Sequence, residues 1–157
     1  MEATSPLSWF KCDIGFAWDK FRNQSGASWI LCNREGKVLL HGRRSFAGIF
    51  CKLDASMESW LWVIECLKTL HFNQIIFASE DHDMISAINK PSAWPSLRFY
   101  SSQIMPMLND FVDWKAQYHS HHHIKGAKLI ADSVIKEDLY QSYIAMGHPC
   151  WLKYLFS

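Results

Sequence analysis

The stretch Gln74-Ile75-Ile76-Phe77-Ala78-Ser79-Glu80-Asp81-His82-Asp83 decides the fold. Its first six residues are a brief continuous apolar run, the pattern of a strand covered on both faces and lying parallel to a neighbour. The run ends in a cluster of three carboxylates, Glu80, Asp81 and Asp83. On its N-terminal side, Leu53–Leu70 repeats Met57, Trp60, Leu61, Ile64 and Leu67 at helical spacing, with Asp54 available as the N-cap. Trp60 and Trp62 stand two apart on that helix, which predicts one in the core and one partly exposed. On the C-terminal side, Met84–Asn89 reads as a short helix stopped by Pro91 and Pro95. Leu97–Phe111 is a second helical stretch that Pro106 kinks or restarts.

Further out, Ser8–Trp18 is an apolar and aromatic strand, and Ala27–Asn33 and Lys37–His41 are two extended runs joined by the hairpin loop Arg34-Glu35-Gly36. Val112–His119 supplies a fifth strand. The tract His119-Ser120-His121-His122-His123 reads as a loop, and Gly126–Ile135 as a last helix with Leu129, Ile130 and Val134 on its apolar face. The predicted order is β-β-β-α-β-α-α-β-α, an α/β domain over residues 8–139. Residues 1–7 read as a flexible arm, and residues 140–157 as an aromatic extension packed back through Trp151, Leu152 and Leu155.

Composition agrees with one domain: the 157 residues are 49% hydrophobic and 20% charged, which excludes disorder. A formal net charge of +1 cannot by itself draw the chain onto nucleic acid or membrane, so any such contact needs a local patch. No apolar run approaches the roughly 20 residues of a membrane helix, and the first residues lack the order of a signal peptide. The five cysteines, Cys12, Cys32, Cys51, Cys66 and Cys150, form no C-x-x-C pair and read as buried free thiols. The expected protein is soluble and intracellular, with nucleus and cytoplasm not distinguished.

The acidic residues Asp13, Glu58, Glu80 and Asp132 fall on the first strand, the first long helix, the end of the buried strand and the last helix. Ligands of α/β sheets gather at strand C-termini. If these carboxylates converge there, they suit Mg²⁺ or Mn²⁺ and metal-assisted hydrolysis of a phosphodiester. Dispersed, they are ordinary solvated side chains.

At this point the sequence resembles the plant ribonuclease H-like domains, akin to the ribonuclease H part of non-LTR retroelement reverse transcriptases. Four segments carry the resemblance. Trp9–Trp18 (WFKCDIGFAW) looks like the family's opening Trp-x-Lys-Cys-Asn-x-Asp strand, and Met57–Trp62 like its Ala-Glu-x-x-Ala-Leu helix. Ile75–Asn89 is similar to the strand ending in Glu-Ser-Asp with its following helix, and Lys128–Asp132 to the Asn-x-x-Ala-Asp stretch of the last helix.

The resemblance implies a ribonuclease H-like fold with a five-stranded mixed sheet, and cleavage of the RNA strand of RNA/DNA hybrids with Mg²⁺ or Mn²⁺ held by four carboxylates. Carried over, the second, third and fourth are Glu58, Glu80 and Asp132. The first falls on Gly15, which offers no ligand and implies weakened or lost catalysis. Asp13, two residues back on the same strand face, is the candidate stand-in; on the residues alone it reads as solvated or pairing across the hairpin. The family also implies a proton-moving histidine before the last helix, for which His122 is the candidate. The sequence does not rank it against its two neighbours.

For nucleic acid, an RNA/DNA hybrid or RNA, the candidate contacts are Arg34, Lys37, Arg43 and Arg44 with Lys125 and Lys128, because phosphate neutralisation needs clustered Lys and Arg. The alternative reading is a domesticated non-catalytic module on the same fold that binds a protein partner. Convergence or dispersal of Glu58, Glu80 and Asp132 separates the two.

Overall fold

A computed structural model describes residues 9–156. The arm expected over residues 1–7 lies outside them. The strands are β1 (Phe10–Asp19), β2 (Gln24–Cys32), β3 (Val38–Ala47), β4 (Gln74–Ser79), β5 (Asp113–Tyr118) and β6 (Tyr143–Met146). The helices are α1 (Lys52–Thr69), α2 (His82–Asn89), α3 (Arg98–Leu108), α4 (Lys125–Lys136) and the short α5 (Lys153–Phe156). One sheet takes all six strands in the order β5-β4-β1-β2-β3-β6. The β1–β4 and β4–β5 pairs are parallel, and the other three are antiparallel. β4 therefore lies between two parallel neighbours, as its unbroken apolar run requires.

The sheet has six strands where five were expected. The sixth comes from the C-terminal extension: β6 pairs with the outer edge of β3 from Leu40↔Met146 to Arg43↔Tyr143. The buried His41 ties it down, with Nδ1 at 2.6 Å from the Gly147 carbonyl oxygen and Nε2 at 3.3 Å from the Tyr143 hydroxyl. Leu152, farther along, is fully buried, whereas Trp151, expected to pack beside it, is exposed.

Each face of the sheet has its own core. On one, Cys12, Ile14, Trp29, Leu31 and Phe77 meet Trp60, Val63, Ile64 and Leu67 of α1 with Met84 and Ile104 behind them. On the other, Ile30 and Val38 meet Ala127 and Ile130 of α4 and Leu152. Both Trp60 and Trp62 are buried, because β3 and its Phe46, ring centroids 6.4 Å away, cover the flank expected to be open.

Local differences have local causes. The N-cap of α1 is Cys51, whose Sγ accepts from the Asp54 amide at 3.4 Å; Asp54 instead accepts from the Tyr100 hydroxyl at 2.9 Å, joining α1 to α3. Pro106 sits in the last turn of α3, which ends at Leu108. His121–Ile124 is a 3-10 turn rather than a loop. All five cysteines are free, but only Cys12 is buried and Cys150 is exposed.

Candidate functional site

The C-terminal end of β4 opens into a cleft of about 450 Å³, lined by Phe16, Ala17 and Trp18 of β1, Lys52 of α1, residues 80–83, and Lys128 of α4. The β1–β4 register, with Asp13 opposite Ala78, brings Gly15 level with Glu80. Odd-numbered β1 residues face α4, since Cys12 and Ile14 face α1.

At Gly15 the helix and sheet are in direct backbone contact. A Cβ there would fall under 3.0 Å from both the Ala127 carbonyl and the Ser28 Oγ. Gly26 on β2 meets the Ala131 carbonyl equally closely, and the Ser28 hydroxyl donates to Ala127 O at 2.5 Å. Two glycines and a serine thus seat α4 on β1 and β2. A side chain at the position where the resemblance asks for the first carboxylate would force α4 or Ser28 to shift.

The remaining carboxylates are engaged separately. Glu80 Oε2 lies 3.3 Å from His121 Nδ1. Asp81 caps α2, accepting from the Met84 amide at 3.2 Å, while its other oxygen accepts from the Ser56 hydroxyl at 2.7 Å. The α1 residues that turn toward this end are Lys52 and Ser56, one helical turn apart. Glu58, two positions on, is rotated about 200° around the helix from Ser56 and is half-buried outside the cleft lining. Asp132 is paired at 3.3 Å with Lys128, whose ammonium also donates to the Phe16 carbonyl at 2.8 Å. Among the described residues, no group of three or more His, Cys, Asp or Glu side chains is arranged to hold a metal. Glu58, Glu80 and Asp132 are not brought together, and this side-chain set does not fit the Mg²⁺ or Mn²⁺ that the resemblance implies.

Asp13 lies farther back on β1, paired at 3.0 Å with Lys11. Burial raises its carboxyl above the usual range, and the Lys11 charge and hydrogen bond offset part of that. Burial also lowers the nearby His119 imidazole. Of the histidines, His121 reaches Glu80. His122 stacks edge-on to His121 at 6.4 Å, and His123 Nδ1 lies 2.9 Å from the Ser120 hydroxyl.

The basic candidates separate into groups. Arg34 and Lys37 are exposed at the β2–β3 turn, beside the Lys11 end of β1 and roughly 16 Å along the strands from Phe16. Arg43 and Arg44 point to opposite faces of β3: Arg43 lies 4.4 Å over the Tyr143 ring, and the exposed Arg44 4.6 Å over Phe46. Arg44 is level with Phe16 through Ala27. Lys52 and Lys128 line the cleft, and Lys125 is the first residue of α4, three positions before Lys128.

Ser56 and Lys52 did not stand out in the sequence, whereas Asp81 belonged to the acidic cluster and His121 to the histidine tract read there. The readable signal was Lys52 and Ser56 at i and i+4 from the start of α1. Among the described residues, no helix is long and apolar enough to cross a membrane.

Solved structures share this fold. Ribonuclease H1 of the halophilic archaeon Halobacterium salinarum NRC-1 superposes with a TM-score of 0.73 at 15% identity, over 82% of this chain and 98% of that one. The N-terminal ribonuclease H domain of a Mycobacterium tuberculosis protein gives 0.70 at 9% identity, over 83% and 96%. LC11-RNase H1, isolated from compost by a metagenomic approach and solved in complex with an RNA/DNA hybrid, gives 0.71 at 10% identity, over 83% and 99%. No curated protein sequence matches the chain. The family model described as reverse transcriptase-like matches residues 13–134, most of the sheet and its helices, and the chain belongs to that family.

Proposed function

We propose that this chain is a nucleic-acid-binding domain of ribonuclease H-like fold that engages RNA/DNA hybrid at the strand-end cleft without two-metal cleavage. The observation that carries the reading is Gly15. The α4 backbone fills the space that a first carboxylate would need, and a two-metal site depends on oxygen ligands that bridge and position both ions. Ser56, not a carboxylate, is the α1 residue that reaches the strand-end acidic cluster. Support for the nucleic-acid side comes from the fold shared with LC11-RNase H1, whose structure contains an RNA/DNA hybrid, and from Lys52 and Lys128 in the cleft lining with Arg44 level with Phe16.

The test combines binding and cleavage on one labelled RNA/DNA hybrid. Fluorescence anisotropy at low salt is expected to show binding, and a gel assay with millimolar Mg²⁺ or Mn²⁺ is expected to show intact RNA. Metal-dependent cleavage by the natural chain would overturn the absence of catalysis. No binding at low salt would overturn the nucleic-acid reading and favour the protein-interaction module.

A further inference from the structure

The ammonium of Lys128 is surrounded by oxygen and π-electron density drawn from two elements. It donates to the Phe16 carbonyl at 2.8 Å, pairs with Asp132 Oδ1 at 3.3 Å, and lies 5.9 Å from the Phe16 ring centroid. An exposed i,i+4 lysine–aspartate pair on one helix would contribute little. Here the same ammonium also crosses from α4 to a β1 carbonyl, with its side chain 25% exposed and lining the cleft. A carboxylate and a backbone carbonyl are the oxygen ligands that a hard divalent cation takes. They are already committed to a cation that the chain carries itself.

We propose that the Lys128 ammonium is the resident cation of this cleft, holding the Phe16 carbonyl and the Asp132 carboxylate in place of a divalent ion and making the cleft metal-independent. The neighbouring carboxylates are similarly committed: Glu80 faces His121, Asp81 caps α2 and receives Ser56, and Gly15 supplies no side chain. A divalent ion entering here must expel the ammonium or sit beside its charge. The inference concerns the cation site alone and does not depend on hybrid binding, so it and the proposed function can fail separately.

The test uses the full chain, uniformly ¹⁵N-labelled and titrated with MnCl₂ alone, while the amide signals of Phe16, Lys128 and Asp132 are followed for paramagnetic broadening. In the natural chain these signals are expected to persist through submillimolar Mn²⁺. In Lys128→Met, which frees both oxygen ligands, they are expected to broaden at about tenfold lower Mn²⁺ than in the natural chain. Lys128→Arg, which restores a tethered cation, is expected to behave as the natural chain does. Early and selective broadening of these three signals in the natural chain would overturn the proposal, and this arm needs no variant. A folded Lys128→Met that responds to Mn²⁺ no more than the natural chain would also overturn it, because the ammonium would then occupy no cation site.

Discussion

Gly15 shows how one missing side chain can be a packing requirement. Its hydrogen lies against the Ala127 carbonyl and the Ser28 hydroxyl, so even a methyl group must push α4 outward. Gly15→Ala is therefore expected to destabilise the fold by about 1–3 kcal/mol, the usual range for overpacking, as read by urea denaturation with an unchanged slope. Gly15→Asp is expected to be worse and to leave hybrid cleavage undetectable, since a carboxylate cannot be placed without unseating the helix. An Ala variant as stable as the natural chain would show that α4 adjusts freely. The sequence marked residue 15 as a departure from the family pattern, but not which groups its glycine packs against. That fact depends on a backbone carbonyl more than a hundred positions away, which no local pattern encodes. Glu58 and Ser56 show the same limit: which of two residues two apart on α1 faces the strand ends depends on where the helix begins, and the cap at Cys51 was not read.

At the level of elements, the order β-β-β-α-β-α-α-β-α was legible because long apolar periodicities and turn residues mark each piece. β6 was missed because four residues, Tyr143–Met146, are too few to show alternation and are a strand only through pairing with β3. Its attachment through His41 has a pH signature. Burial lowers the His41 imidazole below its ordinary value near 6.5, with the charges of His148 and Arg43 adding to the effect and the Gly147 hydrogen bond opposing it. As pH falls through about 6.5 the unfolded chain takes up this proton before the folded one, so the His41 contribution makes stability decline toward acid until the folded imidazole itself titrates. Thermal unfolding of the natural chain between pH 7.5 and 5.5 is expected to lose more stability than that of His41→Gln. Parallel curves for the two proteins would remove His41 as the source.

For the whole molecule, a net charge of +1 leaves the arrangement of cations to decide any contact with phosphate. Arg34 and Lys37 sit at one end of the strands, and Arg44 is level with the cleft at the other. If hybrid lies at the cleft end, Arg44→Ala is expected to reduce the slope of log affinity against log salt by roughly 0.7–0.9, the counterion release of one phosphate contact. Arg34→Ala is expected to leave it unchanged, and equal effects would place the hybrid along the whole sheet. The seating of α4 also has a consequence for synthesis. Ser28 and its partner Ala127 are 99 positions apart, and Ile30 and Val38 have their covering helix only once that partner is made. At ribosomal rates of about 5–20 residues per second, this apolar face waits roughly 5–20 seconds uncovered on the nascent chain. During that interval the three-stranded N-terminal meander keeps Ile30 and Val38 without their covering helix, and slowing translation between codons 40 and 127 is expected to lower the soluble yield of the chain.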